Sequence, residues 1–399
     1  MLGSLRRFAL RNVFLTMLGI VGVSETLILQ WALVTAGLPG FGWLAGFALA
    51  IGLALANAAT LMGLRALSWS NRAIYLLSRA YMLVSLGALI TGPILAGALL
   101  IAALPASLGF PSTAQTALVG GGGLAVTLGF GSILWGFLVG QRKVVVEDVD
   151  LPIRDLPPPL EGLEIAHITD LHIGRQLRAP LLRSFVAQVN AVGADLIVIT
   201  GDIFDFDKEF IEEGCRELAA LEAPLGVYAI LGNHDVYTGR EEVAQGLRRL
   251  TAIHLLRDEW TSLETRGAKL YLLGLEDTGK GWTDRDCESP ELEKLCNDSP
   301  RGAPRVLLAH RPGWFRQAQS LDVDVMLAGH THGGQISLPA PLHHHNISQL
   351  IANWTRGRFE EGESVLYVNR GLGVAGPPVR LNCPREIARL RLVRREPAP

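Results

Sequence analysis

The chain has 399 residues, 49% of them hydrophobic, a formal net charge of −2 and a mean hydropathy of +0.29. That length suggests two or three domains, and that hydropathy is high for an enzyme soluble throughout. No basic stripe interleaved with aromatics is present, so nucleic acid is not an expected partner.

The charges are unevenly placed. Between Met1 and Gly140 the only acidic residue is Glu25 and there is no lysine; acidic residues otherwise begin at Glu147. Four apolar stretches in the first part, at 13–36, 41–64, 80–104 and 117–138, reach the roughly 20 residues a bilayer-spanning helix needs. A cleavable signal peptide would explain only the first, and four such stretches in succession leave no polar face for water. Arg6, Arg7 and Arg11 precede the first span. Arg65, Arg72 and Arg79 lie between the second and third, and Arg142 and Lys143 follow the fourth. Because basic residues stay on the cytoplasmic side, both ends of the bundle are expected there, in a bacterial inner membrane. Glu25 falls near the middle of the first span. A hydrogen-bonded packing residue near Asn57 is the plainer reading, ahead of a functional intramembrane carboxylate. The glycine run 120–123 predicts close helix packing, and Pro93 a kink in the third span.

Residues 1–143 are thus read as a four-span transmembrane domain and 144–399 as a soluble domain. The alternation at 144–149 predicts an edge strand, and Pro157-Pro158-Pro159 stops any helix there. Apolar runs at 163–169, 196–200, 227–231, 269–275, 305–309, 323–328 and 364–368 read as strands; 181–192, 209–221 and 241–250 read as helices. The second half has fewer helices between its strands, which fits a two-sheet sandwich within an α/β domain. Cys215, Cys287, Cys296 and Cys383 form no CxxC pair, so reduced thiols are expected rather than a zinc knuckle or a disulfide.

The polar chemistry clusters just after these strands. The first ends in Asp170-Leu171-His172. The second ends in Gly201-Asp202, with Asp205 three residues on, and the third in Gly232-Asn233-His234-Asp235. The fifth ends in His310 and the sixth in Gly329-His330-Thr331-His332. Strand ends in α/β sheets converge on one crevice. Carboxylate, imidazole and amide oxygen suit borderline or hard divalent ions. Seven plausible ligands and one extra histidine are too many for one ion and about right for two. Two ions roughly 3.5–4 Å apart need a shared carboxylate, and Asp202 is the central candidate. Any one block arises easily by chance; five in order after apolar strands do not.

These blocks resemble the calcineurin-like metallophosphoesterase superfamily. The resemblance covers the chain from about Val144 onward. Gly333-Gly334-Gln335 after His332, and the late Asn369-Arg370-Gly371-Leu372-Gly373, resemble its membrane-associated bacterial branch, which includes enzymes similar to UDP-2,3-diacylglucosamine hydrolases. The resemblance implies a two-sheet sandwich flanked by helices and two divalent ions, manganese first, with iron or zinc also accommodated. Asp170, His172, Asp202 and His332 would hold one ion; Asp202, Asn233, His310 and His330 the other. His234 would touch the phosphate and assist the leaving oxygen after hydroxide attack, and Asp205 and Asp235 would stand behind the ligands, with Asp235 orienting His234.

Among the remaining polar residues, His167 is expected to be packed within its strand. Arg175 is a candidate phosphate contact, and Arg370 a weaker one. The histidine run 343–345, continuing through Trp354, Arg356 and Arg358, suits either a surface loop or a membrane-interface element. The leading expectation is hydrolysis of a phosphodiester or pyrophosphate in a lipid-linked substrate, such as a UDP-diacylglucosamine-type glycolipid, because a soluble substrate needs no enzyme fixed at a bilayer. The alternatives are a phosphodiesterase for soluble nucleotides or a phosphoprotein phosphatase merely tethered to the membrane, and a membrane sensor with a regulatory phosphoesterase domain.

Overall fold

The computed structural model describes residues 13–66, 72–281 and 285–395. Arg6, Arg7 and Arg11, and the side chains of Arg65 and Arg72, lie outside the described residues. The chain divides into two compact units, with the boundary between Val139 and Gly140.

The first unit is four helices: α1 (Val13–Thr35), α2 (Trp43–Ala66), α3 (Arg72–Ser107) and α4 (Pro111–Leu138). All four are long and apolar enough to cross a membrane. Their apolar residues point outward as well as inward: Leu15, Trp43, Phe47, Leu55, Leu100 and Leu124 are all exposed. A helix that is apolar all round is built for lipid. α3 runs continuously through Pro93. Gly122, in the glycine run, lies where a Cβ would collide with the Trp31 ring. The indole Nε1 donates to the Leu118 carbonyl at 3.0 Å. Glu25 on α1 accepts a 2.9 Å hydrogen bond from Asn57 Nδ2 on α2, and Tyr81 on α3 donates to Asn57 Oδ1 at 2.5 Å. The expected Glu25–Asn57 pairing is therefore present, as part of a polar chain joining three helices.

The second unit is two six-stranded sheets between layers of helix. Its elements are β1 (Val144–Ile153), β2 (Glu164–Ile168), α5 (Ala179–Asn190), β3 (Leu196–Thr200), α6 (Ile211–Leu218), β4 (Val227–Ile230), α7 (Asn233–Leu250) and β5 (His254–Leu255). There follow β6 (Glu259–Thr265), β7 (Ala268–Leu275), α8 (Pro290–Asp298), β8 (Arg305–Ala309), α9 (Phe315–Ser320), β9 (Val325–Ala328), β10 (Gly357–Glu361), β11 (Ser364–Val368) and β12 (Arg385–Arg394). One sheet runs β1-β12-β2-β3-β4-β5, the other β10-β11-β9-β8-β7-β6. Pairings among β2, β3 and β4 and among β7, β8, β9 and β11 are parallel.

β3 explains why the strands read as unbroken apolar runs. Leu196 and Val198 face the second sheet, while Ile197 and Ile199 face the helices. Both faces are covered, so alternation disappears from the sequence. Leu270, Leu272, Val306, Leu308, Val325 and Leu327 fill the space between the sheets from the other side. β1 is an edge strand, as expected. It pairs in parallel with β12, placing Asp148 opposite Arg389 and Asp150 opposite Arg391. Both pairs are closed by ion pairs, at 2.5 and 2.7 Å.

Candidate metal centre

The parallel strands all end on one side, and the five polar blocks meet there. Asp170, His172 and His332 can present ligand atoms within 4.8 Å of one another, and so can Asp202, His310 and His330. Asp202 Oδ2 lies 3.7 Å from His172 Nε2 in the first group and 3.2 Å from His310 Nε2 in its own. One carboxylate oxygen thus addresses both groups, which is where a bridging ligand must stand. The other oxygen, Oδ1, accepts the backbone N–H of His234 at 2.8 Å.

The local backbone is bent to aim these groups. Asp170, His172, Asp202, His330 and His332 all have φ between 50 and 70°. Positive φ is unfavourable for residues with a Cβ and persists only where the surroundings impose it, characteristically at functional sites. The glycines in the motifs give the carboxylates room. A Cβ on Gly232 would strike Asp202 Oδ1, and one on Gly329 would strike Asp170 Oδ2. Behind the ligands, the His310 Nδ1–H donates to the Thr200 carbonyl at 2.8 Å, leaving Nε2 turned to Asp202. The Asn369–Gly373 turn braces the first strand end, with Leu372 N on the Thr169 carbonyl and Gly373 N on that of Asp170. The buried Arg380 guanidinium donates to the carbonyls of Arg370, Gly371 and Gly373.

Three observations fit this donor set to divalent cations. Asn233 Oδ1 is buried without a hydrogen-bond partner. Imidazole nitrogens face each other in two pairs, His172 Nε2 with His332 Nε2 at 3.0 Å and His330 Nδ1 with His310 Nε2 at 3.2 Å. Lone pairs that converge this way suit a common electrophile. The field also favours positive charge. Burial opposes charging His310, but the Asp202 carboxylate outweighs it and pushes the imidazole up to about 10. Burial likewise opposes charging His172, and Asp205 and Asp202 push it up to about 9. Burial raises the Asp202 carboxyl, yet His310, His234 and His172 together hold it well below the usual range.

His234 stands beside this cluster, its ring 4.5 Å from that of His172. The carboxylate that reaches it is Asp205, at 3.0 Å from Nδ1. Burial would raise the Asp205 carboxyl, but the imidazoles of His172, at 3.5 Å, and of His234 bring it down to about 2. This corrects the expectation that Asp235 orients His234. The Asp235 carboxylate is taken up by the backbone N–H groups of Ile203, Phe204 and Gly232, at 3.1, 2.8 and 2.9 Å. It caps the start of α7 and ties down the Asp202 loop.

Arg175 forms ion pairs with Asp207 at 3.0 Å and Glu209 at 3.2 Å. One further expectation is corrected. Trp354 is not at an interface: it is buried against Phe315, edge to face at 5.4 Å. Arg370 is held by ion pairs to Glu147 and Glu386. His167 is packed as expected, bonded to Thr200 Oγ1 at 2.8 Å, and burial lowers its imidazole to about 3. All four cysteines are free.

Sequence reasoning missed the buried pair Arg311–Asp277, joined in two places at 2.6 and 2.5 Å after the ends of β8 and β7. It also missed Phe206 and Tyr237, whose rings flank His234 at 4.8 and 5.7 Å. The aromatic between two aspartates, Asp205-Phe206-Asp207, was the only signal for the first.

A calcineurin-like phosphoesterase family model matches residues 163–334. An uncharacterized metallophosphoesterase of Aquifex aeolicus is 30% identical over 268 residues, which cover 66% of this chain and 95% of that protein. An uncharacterized metallophosphoesterase of Campylobacter jejuni is 31% identical over 248 residues, covering 62% of this chain and 63% of its own length. A Danio rerio transmembrane protein with a metallophosphoesterase domain is 28% identical over 265 residues, covering 65% and 60%. The chain belongs to the calcineurin-like metallophosphoesterase family. The matches to the Campylobacter and Danio relatives span less than two thirds of their lengths.

Proposed function

We propose that this protein is a membrane-anchored, metal-dependent phosphoesterase that hydrolyses a phosphodiester or pyrophosphate bond in a lipid-linked substrate, with a UDP-diacylglucosamine-type glycolipid as the specific candidate. The observation that carries the hydrolase reading is the position of Asp202 Oδ2 between two His–carboxylate groups. Asp170, His172, Asp202 and His332 would hold one ion, and Asp202, Asn233, His310 and His330 the other. Bound divalent ions, manganese foremost, supply Lewis acidity that lowers the pKa of water from about 15.7 to about 7 and spreads phosphoryl charge. The chain supplies the rest. Asp205 accepts the His234 Nδ1–H and so presents Nε2 to the substrate; as the imidazolium, with both ring nitrogens protonated, His234 hands its Nε2 proton to the leaving oxygen and is left neutral. Asp235 holds the loop that aims Asp202.

Connectivity supports the lipid reading. α4 ends at Leu138 and β1 begins at Val144, so only a short turn joins an apolar helix to the hydrolase unit. The basic residues around the helices favour a cytoplasmic hydrolase unit in an inner membrane. The test is an assay of the purified full chain with manganese against a model phosphodiester, a phosphomonoester and a UDP-linked glycolipid. The glycolipid should give the highest kcat/KM. Preference for the monoester would overturn the lipid-phosphodiester reading.

A further inference from the structure

Two aromatic side chains stand beside His234. Phe206 follows Asp205, and Tyr237 lies in the first turn of α7. Their rings are nearly parallel, 6° apart in plane with centroids 6.2 Å apart, and each is tilted by under 60° to the His234 imidazole. Both are open to solvent: Phe206 is 58% exposed and Tyr237 42%. Tyr237 is fixed from its far end, where its hydroxyl donates to the Gly279 carbonyl at 2.7 Å.

Phe206 is also strained. Its φ is 48°, in the left-handed region that a bulky residue rarely adopts. Around the candidate centre the same conformation occurs at the candidate ligands Asp170, His172, Asp202, His330 and His332, and at Gln335 in the turn after His332. An exposed phenyl ring gains little from burial to offset such strain, so packing does not account for it. Strain held at a site next to a reactive group is the mark of a residue positioned for a ligand.

We infer that Phe206 and Tyr237 form a stacking platform for a planar ring of the substrate, an aromatic or nucleobase-like group attached near the scissile phosphate. The inference rests on the metal-centre reading, because His234 is what places the platform beside the reacting phosphorus. Aromatic faces bind planar rings without needing specific hydrogen bonds, and one such stack is worth about tenfold or more in affinity. The platform therefore selects substrates by the flatness of a group rather than by its polar edge.

The test compares two non-hydrolysable phosphonates as competitive inhibitors of the manganese-loaded full chain. Phenylphosphonate should bind about tenfold tighter than methylphosphonate. Phe206→Ala and Tyr237→Ala should each remove most of that advantage, with methylphosphonate inhibition changing by less than about twofold. Tyr237→Phe, which keeps the ring, should retain the advantage. Phe206→Gly, which removes the Cβ that makes this backbone conformation unfavourable, should leave the melting temperature unchanged or raised; a purely structural Phe206 would lower it. Equal inhibition by the two phosphonates, or an advantage that survives both alanine variants, would overturn the platform. Failure of both phosphonates to compete would overturn the metal-centre reading and the platform with it.

Discussion

At the scale of single residues, neighbouring aspartates have different tasks, and substitution separates them. Asp202 presents Oδ2 to both histidine groups, so Asp202→Asn should strip both ions, which elemental analysis of the purified protein would read as a fall from about two ions per chain towards none. His234→Ala should keep its ions and lose turnover by about 10²- to 10⁴-fold, the usual worth of a general acid; full turnover in that variant would remove its role. Asp235→Ala should behave differently again. It orphans three buried N–H groups and should cost about 1–3 kcal/mol of stability, measurable by denaturant titration. His167 gives a pH signature. Its folded-state pKa of about 3 lies below the ordinary 6.5, so only the unfolded chain takes up its proton between those values. Its contribution is complete above pH 6.5 and declines by about 1.4 kcal/mol per pH unit as the pH falls towards 3. His167→Gln should flatten the stability–pH curve across that window relative to the parent chain, and an unchanged slope would show that the imidazole does not titrate there.

At the scale of elements, what the sequence displayed depended on burial. Strands β3, β8 and β11 were read to the residue because they are buried on both faces, and β3 and β8 lead directly into Asp202 and His310. The edge strands β6 and β10 and the arginine-rich β12 escaped notice. Glu259–Thr265 and Gly357–Glu361 are largely polar, and the charges of β12 make sense only opposite Asp148 and Asp150 on β1, over 200 residues away in the chain. The candidate ligands were legible because each sits directly after an apolar run. The Asp205–His234 hydrogen bond was not, because the residue adjacent in sequence, Asp235, looked the better partner. It points away because its place at the start of α7 directs its carboxylate back to the Asp202 loop. Gly232→Ala tests that packing. The added methyl would collide with Asp202 Oδ1, so the variant should bind both ions less tightly even though no ligand is removed; parent-like affinity would show that the loop can yield.

At the scale of the whole molecule, two units of different solvent preference are joined by a short turn, and the chain belongs to a family whose members include transmembrane proteins. If the hydrolase unit lies in the cytoplasm, a green fluorescent protein fused to the C-terminus should fluoresce in bacterial cells, with the signal in the membrane fraction; a full-length but dark fusion would reverse the orientation. The account depends most on the two-ion centre. A crystal structure of the manganese-loaded chain, with anomalous scattering at the manganese edge, addresses it directly. The account predicts two peaks about 3.5–4 Å apart, both in contact with the Asp202 carboxylate. A single peak, or two peaks that do not share Asp202, would contradict it.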